Sequence, residues 1–280
     1  VGARLTALDS SLFTDFCRLF SEMSASGAEM AVLTPSFAEL CLCDRSFRAE
    51  LMPQLKILFF CGETLRPATA EKLRGRFPSV RIINAYGPSE ATCAVTAAEI
   101  TEDMGGALPI GELSRTACEL VILGENKKPV REGESGELVI VGGSVARYCE
   151  PNQGGFGALD GKPCFYTGDI CRGENGLLYF LHRRDRQVKL MGHRIELSDI
   201  ENNLLRIDGV KQAAVYTQRC GSTELLAAYV RADDGATESG IRGALSKTLP
   251  AYMLPRKITL VDEIPLNANG KTDRRALSEL

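Results

Sequence analysis

Apolar residues recur along the first 90 positions in two alternating rhythms. Residues 9–25 carry Leu12, Phe13, Phe16, Leu19, Phe20 and Met23 at the spacing of one helix face. The uninterrupted run Met30-Ala31-Val32-Leu33 follows, as in a buried strand. Thr34-Pro35-Ser36 then offers a cap and a first-turn proline, which predicts a helix to about Ala49. Residues 56–61 repeat the strand pattern and are closed by Gly62. Residues 67–77 read as an amphipathic helix stopped by Pro78, and residues 80–84 as a third strand before the turn-rich Tyr86-Gly87-Pro88-Ser89. Helix alternating with short buried strand predicts a parallel α/β sheet, whose functional groups sit in loops beyond the carboxyl ends of strands. Cys61-Gly62-Glu63 and Asn84-Ala85-Tyr86-Gly87 occupy such positions.

After about Ala91 the rhythm changes. β-prone runs at 119–123, 137–141 and 177–180 are separated by Gly and Pro, which predicts a smaller, largely antiparallel unit. A charged run, His182-Arg183-Arg184-Asp185-Arg186, reads as a hinge. Beyond it the order is strand (187–190), helix opened by the capping box Ser198-Asp199-Ile200-Glu201, strands at 210–217 and 225–231, helix at 238–249 and strand at 258–261. That order predicts a compact α+β domain of about 95 residues. The chain therefore divides into residues 1–184 and 185–280, with the hinge near Asp185.

Composition narrows the functional classes. A formal net charge of -3 gives no reason to expect a nucleic-acid partner. No apolar run reaches membrane-spanning length and no signal-peptide pattern opens the chain, so no membrane insertion and a cytoplasmic location are expected. Ten cysteines are scattered without a CxxC pair, and the two histidines are not spaced with them as zinc ligands would be. Most of these thiols are expected to serve as small buried hydrophobes in a reducing compartment.

Near the end, Asn267-Ala268-Asn269-Gly270 is turn chemistry that presents Lys271 at a loop tip. An ammonium there suits phosphate or carboxylate oxygens, but taken alone it reads more readily as a solvated surface group. Four further stretches precede it in order. They are Asn84-Ala85-Tyr86-Gly87-Pro88-Ser89-Glu90, Tyr166-Thr167-Gly168-Asp169, Arg183-Arg184-Asp185-Arg186-Gln187-Val188-Lys189 with Arg194-Ile195-Glu196, and Leu249-Pro250-Ala251-Tyr252-Met253-Leu254-Pro255. Together with Asn269-Gly270-Lys271-Thr272-Asp273-Arg274, they resemble the adenylate-forming superfamily of acyl-CoA synthetases and peptide-synthetase adenylation domains. Within it, Thr34-Pro35-Ser36-Phe37-Ala38-Glu39, Phe59-Phe60-Cys61-Gly62-Glu63 and Ala91-Thr92-Cys93-Ala94-Val95-Thr96 are similar to the D-alanine–carrier protein ligase branch.

The resemblance implies a truncated large adenylation domain, α/β, followed by a mobile α+β domain. It implies ATP and Mg2+ as cofactors, and D-alanine and a phosphopantetheinylated D-alanyl carrier protein as partners. Tyr86 would stack on adenine, with Asn84, Ala85 and the Gly87-Pro88-Ser89 loop giving further nucleotide contacts. Glu90 would hold magnesium, Asp169 would accept the ribose hydroxyls and Arg183 would bond the nucleotide. Lys271 would bridge the carboxylate and the α-phosphate. Cys61 and Cys93 would line the amino-acid pocket, and Asp185 would be the hinge. The Met191-Gly192-His193-Arg194 loop would face the pantetheine after rotation of the small domain, for the acyl transfer that supplies teichoic-acid alanylation.

Three departures qualify this. His182 stands where the family has glycine, which would cost stability if that position needs positive φ. Val145-Ala146-Arg147-Tyr148 is one residue short of the usual Val-Ala-Arg-Gly-Tyr. No Ser/Thr/Gly-rich loop ending in Lys is found to cradle the β,γ-phosphates, so the chain is expected to be the back half of an enzyme and inefficient in adenylation alone. Two other readings remain open: a peptide-synthetase adenylation domain for another small amino acid, and a non-catalytic remnant that binds nucleotide or a carrier protein.

Overall fold

Two aspartates break the first amphipathic stretch in two. Asp9 accepts the Ser11 amide at 2.8 Å and opens a 3-10 turn at Ser10–Thr14. Asp15 accepts the Arg18 amide at 3.1 Å and caps α1, Phe16–Ser26, which ends at Gly27 in the left-handed region. The computed structural model describes residues 2–102, 104, 106–113, 118–146, 154–184, 187–220 and 223–265. They fall in two units, Val1–Asp185 and Arg186–Leu280.

In the first unit, β1 (Met30–Leu33), β2 (Ile57–Phe60) and β3 (Arg81–Tyr86) run parallel, and β4 (Thr96–Glu99) joins β3 antiparallel. α2 (Pro35–Leu42) and α3 (Pro67–Arg76) are the crossovers. The parallel sheet is as the sequence predicts, with three differences. β1 is an edge, not a buried strand: Val32 is 65% exposed and only Leu33 turns inward. α2 stops well short of Ala49, because Asp44 accepts the Ser46 amide at 2.7 Å and turns the chain. Tyr86 lies on a strand, not in the turn after it, because it pairs with Thr96. The core under this sheet gathers Leu19, Phe47, Leu58, Phe60, Leu73 and Phe77, all nearly inaccessible. Burying side chains of this size contributes roughly 1.5–3 kcal/mol apiece.

A six-stranded antiparallel sheet follows: β5 (Gly111–Glu112), β6 (Glu119–Leu123), β7 (Ser135–Val141), β8 (Phe156–Leu159), β9 (Lys162–Glu174) and β10 (Leu177–Arg183). Its order is β5-β10-β9-β7-β6, with β8 on β9. The antiparallel unit is as predicted, but β4, β5, β8 and the long β9 are not legible as strands. Tyr166-Thr167-Gly168-Asp169 looks like a turn yet lies inside β9. The register slips beside it, between Glu137 and Val139 and between Phe180 and His182, and Gly168 takes φ 72°. Tyr86, Ala91 and Val95 share one apolar cluster with Ile110, Leu138 and Leu178, which joins the end of β3 to this sheet.

The second unit opens with the hairpin β11 (Gln187–Leu190) and β12 (His193–Glu196). α4 (Leu197–Leu205), β13 (Val210–Cys220), β14 (Thr223–Ala232), α5 (Glu238–Leu245) and β15 (Lys257–Leu260) complete it as an α+β layer pair over Ile200, Leu204, Val215, Val230 and Leu245. The capping box does not form. α4 starts before Ser198, and the Glu201 carboxylate accepts the Val215 amide at 2.7 Å. That bond fixes the helix to the sheet instead of closing its end. α5 likewise stops at Leu245, short of the predicted residue 249.

Candidate functional site

The polar end of β3 meets the middle of β9. Asn84 and Tyr86 alternate with Ala85 along β3, and all three are buried. Tyr86 donates its hydroxyl to Asp169 Oδ2. Arg183, at the end of β10, donates Nη1 to Asp169 Oδ1 at 2.7 Å and Nη2 to the Thr167 carbonyl at 3.1 Å. Thr167 Oγ1 accepts the Asp169 amide at 3.0 Å and donates to the Leu138 carbonyl at 2.8 Å. Asp169 is 3% exposed, so this carboxylate sits out of water and depends on these partners. Burial first, and then the Asp169 charge, raise the Tyr86 phenol well above its ordinary value, so it stays a neutral donor.

Asn84 donates to the Pro109 carbonyl at 2.8 Å, while its Oδ1 is buried with no hydrogen-bond partner among the described residues. An orphan acceptor of this kind fits a ligand N–H donor.

Beyond β3 the chain makes a tight loop. A Cβ on Gly87 would lie 2.3 Å from the Ala94 amide nitrogen, so only glycine allows this approach. Ser89–Ala91 forms a short 3-10 turn holding half-buried Glu90. Thr92, Cys93 and Ala94 then take φ of 70°, 42° and 61°, three consecutive residues in the left-handed region. Thr92 Oγ1 donates to the Ser144 carbonyl at 2.9 Å and the Ala146 amide to the Glu90 carbonyl at 2.8 Å. At the end of β2, Cys61 is half-buried and Gly62 takes φ 97°. Glu63 beside them accepts the Ser36 amide and hydroxyl at 2.9 and 2.5 Å, fixing this corner to the start of α2.

Several expectations are corrected. Only Cys41, Cys164 and Cys171 of the nine described thiols are buried, so most, Cys93 among them, are not small core hydrophobes. The buried ones are inert: burial pushes the Cys41 thiol up to about 12. His182 lies in β10 without positive φ, paired with Ile170 across a bulge, so the expected cost of replacing glycine does not arise. Lys271, Asp185, Arg147 and Tyr148 lie outside the described residues. The Met191-Gly192-His193-Arg194 turn presents a 70% exposed Met191, and His193 stacks flat on Tyr252 with centroids 3.9 Å apart. The sequence reading assigned nothing to Thr167, Glu137 or Arg184, which brace Asp169 and Arg183. Thr167 and Arg184 stand within quoted motifs, but nothing in the spacing links Glu137 to either.

The AMP-binding enzyme model matches residues 1–148, and the AMP-binding enzyme C-terminal domain model matches residues 199–271, reaching Lys271. A D-alanine–D-alanyl carrier protein ligase of Bacillus licheniformis is 41% identical over 275 residues, covering 93% of this chain and 55% of the relative. One of Bacillus cytotoxicus is 38% identical over 290 residues, covering 99% and 57%. The chain thus spans little more than half the length of these relatives. Among solved structures, the Vibrio cholerae adenylation domain AlmE in complex with glycyl-adenosine-5'-phosphate superposes with a TM-score of 0.82 at 26% identity, over 93% of this chain and 51% of that one. Holo-PA1221, a protein with adenylation and PCP domains, gives 0.79 at 25% identity, over 98% and 48%. With more than half of its residues matched by one model and most of the second unit by its companion, the chain belongs to the AMP-binding enzyme family.

Proposed function

We propose that the chain supplies the adenine, ribose and magnesium side of a site that activates D-alanine with ATP as D-alanyl-adenylate and passes it to the phosphopantetheine thiol of a carrier protein. The observation that carries this reading is the buried Asp169, gripped by Tyr86 and Arg183 where the two sheets of the first unit meet. Its oxygens retain lone pairs for ribose hydroxyls, and the orphan Asn84 Oδ1 suits the exocyclic amine of adenine. The Tyr86 ring, buried in this structure, would have to be uncovered on one side to stack on adenine. Glu90 fits Mg2+, which binds through one or two carboxylates plus substrate phosphates; no cluster of three metal-ligating groups is needed, and none occurs among the described residues. When bound, the ion would neutralise phosphate charge. Lys271 would stabilise the charge that develops between carboxylate and α-phosphate, and Cys61 would bound the amino-acid pocket. Rotation about Asp185 would exchange Lys271 for the Met191–Arg194 turn between the two half-reactions, supplying teichoic-acid alanylation. This chemistry fits a cytoplasmic location, and no described helix is long and apolar enough to cross a membrane.

A second reading, glycine or another small amino acid, is favoured by the likeness to AlmE with its glycyl-adenylate. Calorimetry with non-hydrolysable D-alanyl-, L-alanyl- and glycyl-adenylate analogues separates the two. The D-alanyl analogue is expected to bind tightest, Asp169→Asn to weaken all three at least tenfold, and Cys61→Ala to narrow the preference. Tightest binding of the glycyl analogue would establish the second reading. No binding of any analogue would remove both. Because no β,γ-phosphate loop is found in these 280 residues, ATP–pyrophosphate exchange by this chain is expected to fall far below that of a full-length relative.

A further inference from the structure

We propose that Glu137 is a positioning residue that clasps the Gly168 turn to Arg184, thereby orienting Asp169 and fixing where the chain leaves the first unit. Glu137 stands on β7 with its side chain 15% exposed. One carboxylate oxygen accepts the Gly168 amide at 3.1 Å and the other accepts Arg184 Nη1 at 2.6 Å. The Arg184 amide in turn donates to the Gly168 carbonyl at 2.7 Å. The three residues thus close a ring of hydrogen bonds around the peptide that precedes Asp169. Arg183 makes a second tie to the same turn through Asp169 and the Thr167 carbonyl.

The ring answers a local defect. Bulges interrupt the β7–β9 ladder after Glu137 and the β9–β10 ladder after Phe180, so regular strand pairing cannot satisfy the Gly168 amide. Glu137 supplies the missing acceptor with a charge, and the charge also draws in Arg184. Residues 183 and 184 are the last described residues of the first unit, and both are tied to β9. Arg184 is 69% exposed, so its ion pair is screened by solvent. The half-buried amide bond is the stronger limb.

The clasp stands on geometry alone, whereas its consequence for ligand rests on the nucleotide reading above. Hydrogen exchange on the 280-residue protein without ligand tests the clasp. In Glu137→Ala the Gly168 and Arg184 amides should exchange about tenfold faster, with Leu58 and Ile82 unchanged. Glu137→Gln, which keeps a neutral acceptor, should restore Gly168 and leave Arg184 fast. Unchanged protection at both amides in Glu137→Ala, or uniform acceleration across β7, β9 and β10, would overturn the clasp. Should Glu137→Ala not fold, Arg184→Gln breaks the ring from its exposed side and should speed the Arg184 amide alone; no change there would overturn it equally. Calorimetry with AMP then reads the consequence. Glu137→Ala should weaken binding about tenfold, with Glu137→Gln in between, and equal affinities would overturn the orienting role. If the unaltered protein binds no AMP, the nucleotide reading fails while the exchange data still decide the clasp.

Discussion

Two stretches of the first unit hold the candidate nucleotide contacts by opposite means. From Asn84 to Val95 the backbone does the holding: Gly87 packs against the Ala94 and Val95 amides, and three residues in a row accept left-handed φ. From Thr167 to Arg184 side chains do it: Arg183, Thr167 and Glu137 satisfy a turn displaced by two bulges. Backbone-held geometry tolerates almost no added atom at its contact point. Side-chain-held geometry tolerates changes of size but not the loss of one charge from a buried pair.

Removing one charge should therefore have the largest effect. Arg183→Met keeps the stem and strands Asp169, 3% exposed, without its cation. Urea unfolding should record a loss of about 3–5 kcal/mol, the usual cost of breaking a buried ion pair from one side. Adding Asp169→Asn should recover part of that loss, because a neutral amide needs no cation. A loss below about 1 kcal/mol for the single variant would mean that solvent reaches Asp169, and the contrast between the two stretches would collapse.

In the backbone-held stretch the matching change is Gly87→Ala. The new carbon would sit 2.3 Å from the Ala94 nitrogen and 2.7 Å from the Val95 nitrogen, both main-chain atoms that cannot rotate away. A loss of about 2–3 kcal/mol is expected, at the upper end for overpacking. Unlike the Arg183 loss, it should be independent of salt and of charge at position 169. Melting of the variant at low and high ionic strength checks this, and a salt-dependent loss would show that the loop is held by charges after all.

The same division explains what the sequence could reveal. The parallel strands were legible because buried strands repeat a short apolar run between helices, as at Ile57–Phe60. β9 was not, because Gly168 and Asp169 carry turn chemistry, and Gly168, at φ 72°, is kept within the strand only by partners across the bulges. Tyr86 and Asp169 were legible as motif residues, but their direct bond was not, since 83 positions separate them. Glu201 misled in the other direction: its spacing from Ser198 is that of a capping box, but the Val215 amide claims its carboxylate.

Tyr86 joins the two stretches, and its hydroxyl should have the smallest effect of the three at neutral pH. Tyr86→Phe removes one donor from Asp169 but leaves Arg183 in place, so a loss of about 1–2 kcal/mol is expected. Its pH dependence is more telling. Burial and the Asp169 charge raise the phenol well above its ordinary 10.0, so the folded protein keeps a proton that the unfolded chain gives up. The stability this provides is fully present below pH 10 and is lost as pH rises toward the folded value, because the unfolded state then binds fewer protons. The gap between the unaltered protein and Tyr86→Phe should therefore narrow between pH 9 and pH 11. A gap that stays constant would mean that Tyr86 ionises as readily folded as unfolded. Asp169 would then be held by Arg183 alone, and the link between the backbone-held and side-chain-held halves would be packing rather than a hydrogen bond.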